Sequence, residues 1–251
     1  MNPLVGLFRD LVAILPEKNF EADSQSAIDP RRETVVFVSG FGAPQRGLHI
    51  MKRRLLRDGY NVVLFSLHWQ DFSGGIPDMA RALGREILSL KKLAPSAPIH
   101  LVAHSAGGIV ARFYVQVLGG SHYCETLTTL ATPHHGTWLA LLGFLSHLAV
   151  LWRCLIQLSP RSRLLRKLNG APIPSDMRLV SIYSTDDIVC RSGSTRLPLE
   201  YAESPNVASF AIGGLSHSDF VLSKKGYQLI RTVLKSWGKG LPNDILAAIN
   251  T

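Results

Sequence analysis

Acidic side chains are scarce in this chain, and between Glu125 and Asp176 there are none. Across all 251 residues, 18 aspartates and glutamates face 27 lysines and arginines, a formal charge of +9. A basic surface favours anionic partners such as lipid headgroups or nucleic acid, and charge alone does not choose between them. Cysteine is rarer still. Cys124, Cys154 and Cys190 cannot all pair with one another, which excludes a disulfide framework while leaving room for one bridge. No apolar run reaches the roughly 20 residues that a membrane-spanning helix needs. The uncharged stretch 138–152 falls short and is interrupted by Gly143 and His147. Internal repeats and low-complexity tracts are missing too, and 46% of the residues are apolar. That combination argues against a disordered or fibrous chain and for one domain with a substantial core.

The amino-terminal stretch MNPLVGLFRDLVAILP has no basic segment before it, is broken by Arg9 and Asp10, and lacks a small-residue cleavage site. It reads as an amphipathic helix on the domain or at a membrane surface rather than as a signal peptide. With the polar, proline-bounded residues 17–32 it makes residues 1–33 a helix and linker ahead of a main domain at 34–251. A cytoplasmic protein, with peripheral membrane association, is expected. Residues 238–251 read as a short appended helix.

From Thr34 the chain alternates short β-branched runs with helical spacing. Strands are expected at 34–38, 61–66, 99–103, 126–131, 178–183 and 206–212. The first, TVVFV, is apolar at every position, which marks burial on both faces, as in a parallel sheet. Between strands, Leu48, Met51 and Leu55, and then Ile76, Met79, Leu83, Ile87 and Leu90, recur at helical spacing. Pro95 and Pro98 close the second of these helices, and Gly119-Gly120 ends a third that starts near Ile109. A last helix carries Tyr227, Ile230, Leu234 and Trp237. The βαβα order predicts an α/β protein: a doubly wound, mostly parallel sheet with helices on both faces.

The string LVAHSAGGIV sets Ser105 between a buried strand and an apolar helix. A serine there sits on a tight strand-to-helix turn that lifts its hydroxyl above the carboxyl end of the sheet. Ala103 and Gly107 give the small neighbours such a turn needs, and the helix start aims the amide of Ala106 at any negative oxygen formed nearby. Serine is a weak nucleophile and needs a base held by a third group. Asp186 and Asp187 follow the fifth expected strand, and His217, in GGLSHSDF, follows the sixth. His104 reads as structural, with its ring turned away from the site. Two adjacent histidines, His134 and His135, invite a metal, but no carboxylate or cysteine pattern supports one, so they read as loop-structuring residues. His49, His68, His100, His122 and His147 read as surface or core residues.

Three strings, AHSAGG, ATPHHGT and SIYSTDDIV, make the chain resemble the α/β-hydrolase superfamily, and within it bacterial triacylglycerol lipases and esterases, from residue 34 to about 237. The resemblance implies a catalytic triad of Ser105, Asp187 and His217, with Asp186 as a loop-capping neighbour. It implies an oxyanion hole from the amides of Phe41 and Ala106, although Ser39-Gly40-Phe41-Gly42 stands where lipases usually carry His-Gly. It also implies a lid or cap inserted at about 137–176, in which Trp138, Leu142, Phe144 and Leu145 would meet acyl chains. Arg153, Arg161, Arg163, Arg166 and Lys167 would then meet anionic headgroups. A buried core helix with a solvated basic end is the alternative for that segment. The expected activity is hydrolysis of acyl-lipid esters without a cofactor or metal. A phospholipase or glycolipid deacylase, an acyl-thioesterase and a non-catalytic binding protein are the alternatives. Nucleic-acid binding is not expected, because the chain has no recognised motif for it.

Overall fold

The computed structural model describes residues 27–40, 45–66, 74–137 and 152–236. The expected amino-terminal helix, the appended carboxyl-terminal helix, Phe41 and the lid candidates Trp138, Leu142, Phe144 and Leu145 lie outside the described residues. Six strands form one sheet: β1 (Thr34–Val38), β2 (Asn61–Phe65), β3 (Ile99–His104), β4 (Thr126–Leu130), β5 (Arg178–Ser184) and β6 (Val207–Ile212). Their spatial order is β2-β1-β3-β4-β5-β6, and every pair is parallel. The order reverses between β1 and β3, so the chain leaving these two strands opens a crevice at the carboxyl edge, where open α/β sheets bind ligands.

Helices cover both faces. One face carries α2 (Ile76–Leu93) and α3 (Ala106–Val117). There Val36, Val38, Leu101 and Ala103 pack against Met79, Leu83, Ile109 and Val110. The opposite face carries α1 (Gln45–Arg57), where Val35, Phe37 and Val102 meet Leu48, Met51, Leu229 and Ile230. The two-residue period of a strand sorts neighbouring side chains to opposite cores. On β3 it sends Ala103 to the first face, and His104 to the second with Val102. Strand boundaries differ from the sequence reading by at most one residue. The helix after β3 begins at Ala106 rather than near Ile109, because the turn at Ser105 opens directly into it.

Between β4 and β5 lie α4 (Trp152–Leu158) and α5 (Arg163–Asn169), and beyond β5 the single turn α6 (Ser192–Thr195). Cys154 and Leu158 of α4 are buried in the main core, and the side-chain oxygen of Gln157 accepts a 2.7 Å hydrogen bond from the amide of Ile76. One side of α4, within the expected lid segment, is therefore packed against the core, while Arg153 and Ile156 on its other side are exposed. After β6 come the short α7 (Asp219–Leu222) and α8 (Lys224–Lys235), the latter capped by Ser223, whose hydroxyl accepts from the amide of Gly226. All three cysteines are buried, and none is joined in a disulfide. Among the described residues no helix is long and apolar enough to cross a membrane.

Candidate active site

Ser105 follows β3 directly and holds φ 56° and ψ −131°, a strained conformation for a residue with a side chain. Ladder bonding carries β3 into this turn: the amide of Ser105 donates to the carbonyl of Leu130 at 2.9 Å. The turn is feasible because its neighbours are small. A β-carbon on Gly107 would lie 2.4 Å from the carbonyl oxygen of Val38. One on Gly40, beyond β1, would lie 2.6 Å from the Ser105 β-carbon and 3.2 Å from its hydroxyl oxygen. The chain leaving β1 thus presses against the serine, and only a glycine permits that approach. Ala106 is the first residue of α3, so its amide is among those the helix leaves unpaired.

Asp187 and His217 come from the loops after β5 and β6, and the parallel pairing of these strands sets the two loops side by side. Nδ1 of His217 donates to Oδ2 of Asp187 at 2.8 Å. The other carboxylate oxygen accepts from the amides of Val189 at 2.9 Å and Cys190 at 2.8 Å. An ionised carboxylate only accepts, so one imidazole proton must sit on Nδ1, and it is the deprotonated ring that presents a bare Nε2. Burial alone would lower the pKa of His217. The adjoining Cys190 and the Asp187 carboxylate outweigh it and hold the pKa well above the usual histidine value. Among the described residues no hydrogen bond or ion pair joins Asp186 to the imidazole. Its exposed carboxylate accepts from the amide of Gly214, fastening the two loops together.

The loop 213–218 is sewn down at each step. The hydroxyl of Ser184 donates to the carbonyl of Leu215 at 2.7 Å, and Ser216 donates from both its amide and its hydroxyl to Asp219. His104 makes the third attachment and departs from the sequence reading, which turned it away from the site. Its Nε2 donates to the carbonyl of His217 at 3.0 Å, and the two rings lie 4.7 Å apart at 44°. With the proton on Nε2, its buried Nδ1 has no partner among the described residues. Burial, with His217 adding repulsion, pushes its pKa down to about 3, so the ring is neutral. The residue before the serine is thereby bonded to the backbone of His217. Among the described residues no hydrogen bond joins the Ser105 hydroxyl to the His217 ring, a contact that in unliganded hydrolases is often long and tightens with substrate. Sequence reasoning missed His104, Ser184 and Asp219. The Ser-x-x-Asp spacing of Ser216 and Asp219 was legible as a local cap, whereas the other two need the strand faces to be known.

His134 and His135 part company. His134 is fully buried, and its Nδ1 accepts from Arg112 at 3.0 Å while Nε2 faces the hydroxyl of Ser181 at 3.2 Å. Burial, assisted by Arg112 and His135, holds its pKa far below the usual value. His135 is exposed, so the pair does not converge on one point.

A family model described as "Putative serine esterase (DUF676)" matches residues 31–160, just over half of the chain. No curated protein matches the chain in sequence. Among solved structures, the mature lipase BlEst2 of Bacillus licheniformis superposes with a TM-score of 0.66 at 18% identity, covering 84% of this chain and 96% of that one. Lipase B of Aspergillus fumigatus gives 0.66 at 15%, over 88% of this chain and 56% of that one. Phospholipase PlaB of Legionella pneumophila gives 0.66 at 17%, over 87% and 61%. At such identities these likenesses establish the α/β-hydrolase fold.

Proposed function

Because the chain belongs to the DUF676 family of serine esterases, we propose that it hydrolyses carboxylic esters of acyl lipids through Ser105, His217 and Asp187. Nε2 of His217 takes the hydroxyl proton of Ser105 as the oxygen attacks the ester carbonyl. The tetrahedral oxyanion is held by the amides of Ala106 and Phe41. As the carbon–oxygen bond to the alcohol breaks, the imidazolium returns the proton to the leaving oxygen, which leaves an acyl-serine. Water, deprotonated by the same Nε2, then adds to the acyl carbonyl, and collapse releases the acid and restores Ser105. Asp187 keeps the proton on Nδ1 and offsets the charge on the ring in both half-reactions. His104 holds the backbone of His217 against the turn that carries the serine. These steps use only the chain's own groups and water.

The observation that carries this reading is the locked carboxylate. Two backbone amides occupy one oxygen of Asp187, so only the other is left for the 2.8 Å contact with His217. That ring in turn lies 4.7 Å from the ring of the residue preceding Ser105. Acyl lipids are favoured as substrates because exposed Arg153, Arg161, Arg163, Arg166 and Lys167 cluster on and beside α4 and α5, where anionic membrane headgroups would meet them. The lipase and phospholipase names of the structural neighbours agree with that choice. The test is labelling with a fluorophosphonate probe beside hydrolysis of nitrophenyl esters of graded chain length. Labelling and turnover that both vanish in Ser105→Ala support the reading. Turnover that survives in Ser105→Ala refutes it.

A further inference from the structure

A concave site lies apart from the triad. A cavity of about 800 Å3 opens between α5, the loop 131–137 and residues 198–204, and none of Ser105, Asp187 and His217 lines it. That volume suits a small organic ligand. Its walls include Leu165 and Ile173, and Arg161 and Arg166 also line it. Both arginines are exposed, and neither has an ion-pair partner among the described residues. Arg161 holds a left-handed φ of 61°. The turn around it is fixed by the Ser162 hydroxyl, which accepts from the amide of Leu165 and donates to the carbonyl of Gln157.

The other side of the cavity rests on a buried cation. Asn169 and Tyr201 line the cavity, and both receive hydrogen bonds from Arg112, at 3.0 and 3.2 Å. Arg112 is fully buried, and its remaining bonds go to Gln116, His134 and the carbonyl of Leu168, all neutral. Its charge therefore has no carboxylate against it among the described residues. Among the described residues three cations bear on the cavity, and Glu200 is the one carboxylate lining it. A low-dielectric wall concentrates such a field.

We propose that this cavity binds an amphiphilic anion, its carboxylate or phosphate headgroup held by Arg161 and Arg166 and its apolar chain lying along Leu165 and Ile173. A lipid headgroup and a released fatty acid share that chemistry. The site does not depend on the ester chemistry proposed above, and it is best tested in the full chain carrying Ser105→Ala, where no turnover can occur.

Calorimetric titration with decanoate, decyl phosphate, decanol and inorganic phosphate, all below micelle concentrations, reads the site directly. The expected result is saturable binding of decanoate or decyl phosphate, weakened about tenfold by adding Arg161→Gln with Arg166→Gln. Tighter binding of decyl phosphate assigns the site to lipid headgroups, and tighter binding of decanoate to free fatty acids. Glu200→Gln removes the opposing charge and should tighten binding about threefold, a gain that a folding defect would not produce. The proposal is overturned if the arginine pair or Glu200 has no effect, if decanol binds as tightly as the anions, if phosphate alone binds as tightly as the amphiphiles, or if nothing binds.

Discussion

Asp187→Asn is the substitution whose consequence the geometry fixes most tightly. Oδ1 of Asp187 accepts from two backbone amides, at 2.9 and 2.8 Å, so in the variant only the amide oxygen can occupy that position. The side-chain NH2 is then forced into the place of Oδ2, 2.8 Å from Nδ1 of His217. A donor now faces Nδ1, which must accept, and the ring proton moves to Nε2. The nitrogen that should take the serine proton already carries one. A wrong tautomer of this kind in a serine triad costs about 10⁴ in kcat, roughly 5.5 kcal/mol of barrier. The fold should survive, because the two backbone bonds persist. Steady-state hydrolysis of a nitrophenyl ester, normalised by fluorophosphonate titration and accompanied by thermal unfolding, measures both sides. Asp186→Asn is the control and should stay within about tenfold of the parent, since it loses a loop contact and not the tautomer. An Asp187→Asn variant that retains a tenth of the parental rate would refute the reasoning.

His217 gives a pH signature: with its pKa held above the usual value of about 6.5, kcat/KM should rise with pH through a midpoint above that value. A midpoint at or below it contradicts the assignment. The same shift stabilises the fold fully below the unfolded-state pKa and fades as pH climbs through the folded one, so unfolding temperature and activity should move in opposite directions over that interval. His104→Leu should lower kcat at unchanged KM, and His104→Gln, which can still donate to the His217 carbonyl, should restore much of the loss; equal rates in both variants and the parent would remove His104 from the account. Gly40→Ala puts a carbon 2.6 Å from the Ser105 β-carbon. The nucleophile must then shift by up to about 1 Å, and kcat should fall about a hundredfold in a chain that still folds; an unchanged rate would show that the loop yields instead. Arg112→Met strands the buried Nδ1 of His134 and the half-buried acceptors of Gln116 and Asn169 and should cost about 3 kcal/mol in urea unfolding; a loss under about 1 kcal/mol would show that desolvating the guanidinium already cancels its bonds.

Much of this protein was legible in its residues. The run TVVFV announced a strand buried on both faces because no polar side chain interrupts it. LVAHSAGGIV announced the turn because only small residues let a backbone reverse so sharply beside another chain. Chain order placed Asp186, Asp187 and His217 after later strands, and the choice of Asp187 over Asp186 came from the resemblance alone. What the residues left open was everything that depends on which face a side chain takes and what stands opposite it. His104 and Ser105 are adjacent in the chain, yet the contact of His104 with His217 exists only because alternation along β3 sends its ring to the face where the chain after β6 packs. Nothing in the sequence around Arg112 shows that α5 and residues 198–204 close over it and supply neutral acceptors. Neighbours along the chain follow from covalent order and local sterics, whereas partners separated by 56 to 113 residues follow from sheet register, and no single segment encodes that register.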